Sequence, residues 1–575
     1  MEMFCLRAFK AALLLLPLIC SFNTFDFIVA RPEVMKMVIS IPFFLILILF
    51  YNGRRSLDLN SKTFFSITLF LFFAGISVLW SHNKYWYLLH IIPLLSSFLA
   101  SVIIYKYIKN LEEFFWLFVI SGALVSLVGM VISYFEFEIF NNLNEYGSTF
   151  GNKNAAGQFV VLTIPMALGL YIKKNKITPL IFLAISLSFL LFSQSRQIWF
   201  SLIIMSFSAI AILIKFKKFN FRKIKIIPIL VFLTFTSVIG VTLSNPKYSG
   251  WKNIKNRVHL AVKQFSNPIG SSGQGSNERV SHWVNTLLMI KSAPLHGVGL
   301  GNWYIQYPKY HSTLIDDGHT YSASMKLKNL HNDHLEIFAT LGLIGFVLWL
   351  YMFYGFFKLG FSIIHKDFTL ILSALLSIVA YLSYSSFSFP YKLYMPLLVI
   401  FSLALIFQSY IKQTPASPLP KHNKLAVLVV LIISISLGHQ RINFSHNYFK
   451  AQALSKSLKR KDVNKDIVTE NMMKYAQKAL NYNQMDINAA IILSSGQFHF
   501  KKNKEAYNLL KPYVNNYPYH ESLLHNLGFL AFHNRDYQNT IKYWEEVLKY
   551  QKSPSYQNKI KSNLKKLKEK LNKGR

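Results

Sequence analysis

The chain has 575 residues, 52% hydrophobic and 16% aromatic but only 15% charged, with a mean hydropathy of +0.31. A soluble protein carries about a quarter charged residues; here the apolar residues come in blocks of roughly 17–22, the length that crosses a hydrocarbon core, which excludes a soluble globular fold. The net charge of +37 lies in short loops between those blocks and in a Lys-rich tail, which argues against a nucleic-acid partner, and the only cysteines, Cys5 and Cys20, exclude a disulfide framework or a Cys-based metal site.

At the N-terminus, Arg7 and Lys10 followed by AALLLLPLIC imitate a signal peptide. No small-residue cleavage site follows and many apolar blocks do, so an uncleaved signal anchor is expected. Apolar blocks near 11–30, 34–51, 64–80, 85–105, 114–134, 155–172, 178–194, 197–214, 226–244, 335–357, 368–388, 393–411 and 424–438 predict about 12–13 spans. Alternate loops differ in charge: one set holds about 21 basic residues, among them Arg54, Arg55, Lys173, Lys174, Lys217 and Lys218, and the other about 6, namely Arg31, Lys36, Lys84, Lys153, Arg196 and Lys392. That asymmetry places the N-terminus in the cytoplasm, and the loop 245–333 and the tail after 439 on the far side, the periplasm if the cell is Gram-negative.

The expected fold is all-α: a polytopic transmembrane helical bundle with a C-terminal soluble helical-repeat domain. Its parts are N-terminal transmembrane helices at 1–244, a large periplasmic loop at 245–334, C-terminal transmembrane helices at 335–439 and a periplasmic domain at 440–575. In that last part, 487–520 aligns with 521–554 at an offset of about 34 residues, and Leu527, Gly528, Tyr537 and Trp544 stand at tetratricopeptide spacing. Such an array either docks a partner or caps the membrane domain. The closing KIKSNLKKLKEKLNKGR reads as a solvated basic helix that could touch anionic lipid.

Polar residues gather at the outer ends of spans. Arg196, in SQSRQIWF, sits between two apolar blocks with almost no loop, either snorkelling at the interface or clamping an anion; the nest of Ser193, Gln194, Ser195 and Gln197 favours the clamp. Asn152, Lys153 and Asn154 lie where a helix begins, as an ordinary N-cap or as an anion site. Arg279 and Trp283 are one turn apart on an amphipathic stretch. Gly297, Gly299 and Gly301 lack the strand and acidic partner of a dinucleotide fingerprint and read as a tight turn for close backbone packing. Trp303, Tyr304 and Tyr307 offer flat faces for a sugar, or belong to an interfacial belt. His331, Asn332, Asp333 and His334 open a long apolar helix. His331 and His334 could share a helix face, but a metal would need a third ligand, from Asp333 or Glu336, at a spacing no known frame uses, so no metal or other cofactor is expected. His331 is either structural or a general base.

Together TFGNKNAAGQF, SQSRQIWF, the block from Arg279 through PLHGVGLGNW, HNDHLEIFATLGLIG and the late FSFPYKLYMP resemble the superfamily of O-antigen ligases, O-antigen polymerases and O-linking oligosaccharyltransferases over about 60–410. The resemblance implies a metal-independent membrane glycosyltransferase that moves a glycan from an undecaprenyl-diphosphate-linked donor to lipid A-core, a protein or a growing polymer, the steps of lipopolysaccharide biosynthesis or protein glycosylation. By motif, His331 matches the family's essential loop histidine, and Arg196 and Arg279 match arginines that handle the diphosphate. Lys153 is a looser match, and Asn154, Asn332 and Trp303 are the remaining substrate-binding candidates. A transporter would require midplane charges and repeated spans, which are not seen; a noncatalytic scaffold would leave the Arg196 nest and the large loop unexplained.

Overall fold

A computed structural model describes residues 2–19, 32–50, 58, 61–135, 147–193, 195–217, 277–310, 329–411, 421–460, 462–550 and 554–573. Among them there is no strand. The membrane portion comprises α1 (Glu2–Leu15), α2 (Pro32–Phe50), α3 (Lys62–Ile76), α4 (Lys84–Tyr107), α5 (Leu111–Phe135), α6 (Lys153–Lys174), α7 (Thr178–Ser193) and α8 (Arg196–Lys215). After a gap follow α9 (Asn277–Ser292), α10 (Trp303–Tyr310), α11 (Asp333–Ile363), α12 (Phe368–Ser385), α13 (Tyr394–Gln408) and α14 (Lys421–Ser457). The tail adds α15 (Lys465–Tyr482), α16 (Ile487–His499), α17 (Asn503–Leu510), α18 (Tyr513–Asn516), α19 (Glu521–His533), α20 (Tyr537–Tyr550) and α21 (Pro554–Lys573).

Among the described residues, 8 helices are long and apolar enough to cross a membrane, and three shorter apolar helices lie at Met35–Ile46, Thr178–Leu191 and Tyr394–Gln408. The expected polytopic all-α bundle is therefore what the chain forms. Its centre is α13, apolar on every side and buried at every residue, as a helix surrounded by helices must be. α4 and α6 flank α13, and α12 packs along both α6 and α8. Small residues set the spacing: a Cβ on Gly169 would meet Ser373 Oγ at 2.3 Å, and one on Gly157 would meet the Ile198 side chain at 2.4 Å, the close approach that membrane helices use where no hydrophobic effect drives them together. At the periphery α8 exposes Ile203, Phe207 and Ile214, and α14 exposes Leu425, Ile432 and Ile435, surfaces suited to lipid.

Two expectations about spans change. The block at 11–30 is not one helix: α1 ends at Leu15 and a tight turn holds Leu16–Leu18, because Pro17 has no N–H to continue the ladder; residues 20–31 and the predicted span 226–244 lie outside the described residues. The predicted short span 424–438 is part of the longer α14, which runs past Gly438 through His439, Arg441 and Asn443 to Ser457. Polar side chains do not break a helix once it leaves the apolar layer.

The tail is built from helix hairpins, α15 on α16 and α19 on α20. Gly528 lets the Trp544 indole lie against α19, where a Cβ would meet it at 2.4 Å. This domain packs back on the bundle. Asn83 Nδ2 donates to the Asn516 carbonyl at 3.1 Å, Arg441 donates to the Tyr85 hydroxyl at 3.1 Å, and Ile305 of α10 is buried in the tail's apolar core with Phe444 and Ala479.

Charges divide the two ends of the bundle. Lys10 pairs with Glu113, Lys174 with Glu112 at 2.8 Å, and Lys173 with Asp367 at 2.6 Å. These sit at the end remote from Asn83, Asn152, Ser195 and Asn332, which cap α4, α6, α8 and α11.

Candidate functional site

The Gly-rich loop and α11 are built into one another. Inside α11, Gly342 leaves helical geometry at φ 67°, ψ −169°, which frees backbone groups on both sides. The loop satisfies them: Val298 N–H donates to the Ala339 carbonyl at 3.1 Å and Gly299 N–H to Thr340 at 2.8 Å, while Leu343 and Ile344 donate to the Pro294 and Leu295 carbonyls at 2.8 and 3.2 Å. Irregular backbone at membrane depth persists only where protein partners replace the lost bonds. Gly297, Gly299 and Gly301 all have positive φ, and a Cβ on Gly297 would stand 2.4 Å from the Thr340 backbone. The expected tight turn for close packing is what these glycines make.

The segment from Tyr384 to Lys392 joins the predicted site elements. Tyr384 OH donates to the Asn154 carbonyl at 3.1 Å, and Gln158 donates to Ser388 Oγ at 2.6 Å, fixing the start of α6. Gln197 donates to the Phe387 carbonyl, and Phe200 stacks edge-on to Phe387, fixing the start of α8. Trp283 of α9 packs on Phe387 and donates to the Leu330 carbonyl at 3.3 Å. His331 stands edge-on to Phe389, ring centroids 5.2 Å apart. Ser195 Oγ donates directly to Asn154 Oδ1 at 3.1 Å, joining the two helix starts.

Two of those starts carry a cation in the first helical position, Lys153 in α6 and Arg196 in α8, with no acidic residue in either first turn. A cation there opposes the helix dipole at roughly 0.3–1 kcal/mol, so the positive ends of two helices and two cationic side chains gather at one place, the electrostatics of an anion site. Arg196 is exposed, and Lys153 and Asn154 are half-buried. Arg279 lies in α9 one turn before Trp283; its side chain lies outside the described residues, as does Gln194.

His331 precedes α11 rather than opening it. Its backbone is left-handed at φ 58°, and Asn332 is the N-cap, its side chain accepting from Leu335 N–H at 3.0 Å. The two histidines therefore do not share a helix face: His334 points inward, contacting the Leu382 carbonyl at 3.1 Å and accepting from the Trp349 indole. Trp303 is also corrected as an open sugar platform. It is 1% exposed, donates to Thr286 Oγ1 at 2.9 Å and stacks on Tyr307, which makes it a packing residue of the loop. Burial pushes the Tyr307 hydroxyl up, and burial together with Asp486 of the tail pushes Tyr304 up to about 12. Among the described residues no group of three His, Cys, Asp or Glu could hold a metal ion.

Sequence reading missed a buried polar cluster beneath His331. Asp333 and Glu336 are 0% and 1% exposed. Glu336 Oε1 receives Lys392 Nζ at 2.6 Å and the Tyr391 hydroxyl at 2.8 Å, with His90 Nε2 at 3.9 Å. Asp333 Oδ2 accepts from Tyr391 N–H at 2.9 Å, and Lys392 Nζ also donates to Asn329 Oδ1 at 3.0 Å. Burial beside both carboxylates raises the Tyr391 hydroxyl well above its ordinary range, so it stays a donor. A carboxylate early in an apolar span was the available signal, since ionisable residues at membrane depth are costly enough to have a partner.

Residues 181–350 match the family model described as O-antigen ligase. The matched stretch contains Arg196, α9, the Gly-rich loop, His331 and the break at Gly342. It stops short of the Tyr384–Lys392 segment, and Lys153 precedes it. An uncharacterized protein of Haemophilus influenzae is 26% identical over 201 residues, 34% of this chain and 46% of that protein. The chain thus spans about half the length of the curated relative it matches.

Proposed function

We propose that the chain is a membrane glycosyltransferase of the O-antigen ligase kind, which moves a glycan from a lipid diphosphate to an acceptor hydroxyl. The observation that carries this reading is the junction of the α6 and α8 starts, with Lys153 and Arg196, to the His331 turn through one short segment, within and beside the stretch similar to O-antigen ligases. A lipid diphosphate is a good leaving group, so positioning and charge stabilisation supply most of the catalysis. Arg196 and Arg279 hold the diphosphate oxygens, each charge-assisted bond contributing roughly 1.5–3 kcal/mol, and Lys153 adds positive charge. Asn154 ties the α6 start to the α8 start through Ser195, and Asn332 caps α11 beside His331.

In the transfer, the acceptor oxygen forms its bond to the anomeric carbon as the bond from that carbon to the diphosphate oxygen breaks. The proton of the acceptor passes to the His331 imidazole, and the electron pair leaves with the diphosphate. Attack opposite the leaving group inverts the anomeric centre. The reaction takes place on the periplasmic face of the inner membrane with an undecaprenyl-linked donor, and requires no metal. The tetratricopeptide-like tail, folded over the same end of the bundle, favours a bulky acceptor, lipid A-core or a protein, over a growing polymer.

Membranes containing the full chain and a fluorescent lipid-linked oligosaccharide test the reading. His331→Ala and Arg279→Ala are each expected to lower transfer by about 10²–10⁴-fold; full transfer by both variants overturns the assignment. Loss of capped lipopolysaccharide, of glycoprotein or of long chains in a deletion strain identifies the acceptor.

A further inference from the structure

His331 occupies a left-handed backbone conformation that a side chain bearing a Cβ holds only when its surroundings enforce it. Three restraints from one neighbouring segment do so. Lys392 Nζ donates to Asn329 Oδ1 at 3.0 Å on one side of the turn, Tyr391 N–H donates to Asp333 Oδ2 at 2.9 Å on the other, and Phe389 supports the imidazole itself. Lys392 is fixed in turn by Glu336, at 2.6 Å, and Glu336 by the Tyr391 hydroxyl at 2.8 Å.

A buried ion pair is a poor way to add stability, because desolvating both ions consumes most of the attraction, whereas a unique geometry is something it does impose. Here the pair is almost closed to solvent, with Lys392 at 11% and Glu336 at 1% side-chain exposure. The same segment holds the starts of α6 and α8 through Tyr384, Ser388 and Phe387. The position of Lys392 therefore determines where the imidazole stands relative to Arg196 and Asn154.

We infer that Lys392, clamped by Glu336, is a positioning residue that pins the Asn329–Asp333 turn and sets the His331 imidazole against the anion site. Its catalytic consequence rests on the proposed glycan transfer; its structural consequence does not. Lys392 acts through Asn329 and His331, without contact with the reacting atoms. Arginine can reach both oxygens and methionine neither, so Lys392→Arg keeps the clamp and Lys392→Met removes it.

The experiment compares the full chain, Lys392→Met, Lys392→Arg and the charge swap Glu336→Lys with Lys392→Glu, all in membranes. Each is treated with diethyl pyrocarbonate, and the modification rates of His331 and His365 are read by peptide mass spectrometry; donor KM and kcat are measured in parallel. In Lys392→Met, His331 is expected to react several-fold faster and kcat to fall about 10–100-fold, with donor KM little changed. His365, exposed at the opposite end of the bundle, reacts at one rate throughout and normalises the reagent, an unchanged thermal midpoint marks each variant as folded, and Lys392→Arg restores both readouts. Unchanged His331 reactivity in Lys392→Met overturns the inference, whether or not kcat falls; a fall in kcat alone would assign Lys392 to the substrate instead. A faster His331 in a chain whose wild type transfers no glycan supports the positioning role and removes the functional reading.

Discussion

A methyl group on Gly301 would stand 2.3 Å from the Trp86 carbonyl oxygen and 2.6 Å from His90 Nδ1, on a backbone with φ +75°. Gly301→Ala is therefore expected to cost about 1–3 kcal/mol, read as a lower thermal midpoint of the detergent-solubilised protein; an unchanged midpoint would mean that the loop is not seated against α4. At this scale the sequence was informative where a residue type has few uses. Glycines at alternate positions announce close backbone approach, and an Asn before a helical run announces a cap. It signalled that the Glu336 carboxylate needs a partner but not that the partner is Lys392, because a pair formed between segments far apart in the chain leaves no local pattern. In the sequence Lys392 stands only among the basic residues of the sparser loop set, and Glu336 only as an alternative metal ligand.

The eight-residue α10 has two working faces. Trp303 and Tyr307 pack with Met289, Leu330 and Ala339 under the His331 turn, while Ile305 enters the tail's core. Tyr304 packs at a tilt against Trp86, ring centroids 4.6 Å apart. A charge at the tail-facing position has no partner there, and Ile305→Asp is expected to loosen the tail at a cost of several kcal/mol. The check is limited proteolysis of membrane vesicles: cleavage within 440–575 should quicken while α11 and α13 remain protected, and an unaltered pattern would show that α10 does not hold the tail. The period of α10 was visible in its aromatics, but not which face meets which neighbour. For that reason the sequence leaves Trp303 between a sugar face and a belt residue, whereas its indole is enclosed. Helix lengths failed for a related cause. Hydropathy marks where lipid ends, and α14 continues through that boundary as one helix.

Across the whole molecule the charged residues separate the ends of the bundle. Lys10, Lys173 and Lys174 pair with Glu113, Asp367 and Glu112 at one end, and the capped helix starts and the His331 turn occupy the other. With Cys5 and Cys20 replaced, a cysteine at exposed Leu295 should react with an impermeant maleimide in intact cells whose outer envelope has been opened, and one at exposed Lys176 only after the inner membrane is permeabilised. The reverse pattern would put the proposed anion site in the cytoplasm. Which residues share an end was legible from loop charge, because it depends on counts; which end faces the periplasm is what the labelling decides. The folding of the tail onto Asn83, Tyr85 and Trp86 was not, because its contacts join residues hundreds of positions apart.

The 37 residues of α14 make a rod about 55 Å long at 1.5 Å per residue, its apolar part facing outward and its far part built into the tail. One unbroken helix therefore carries both the lipid-facing side chains and Phe444 and Ala451 of the tail's core, so the tail cannot turn away from the bundle without breaking backbone hydrogen bonds. On the proposed chemistry, donor and acceptor meet a tail whose register with the membrane helices is set by the backbone of a single rod.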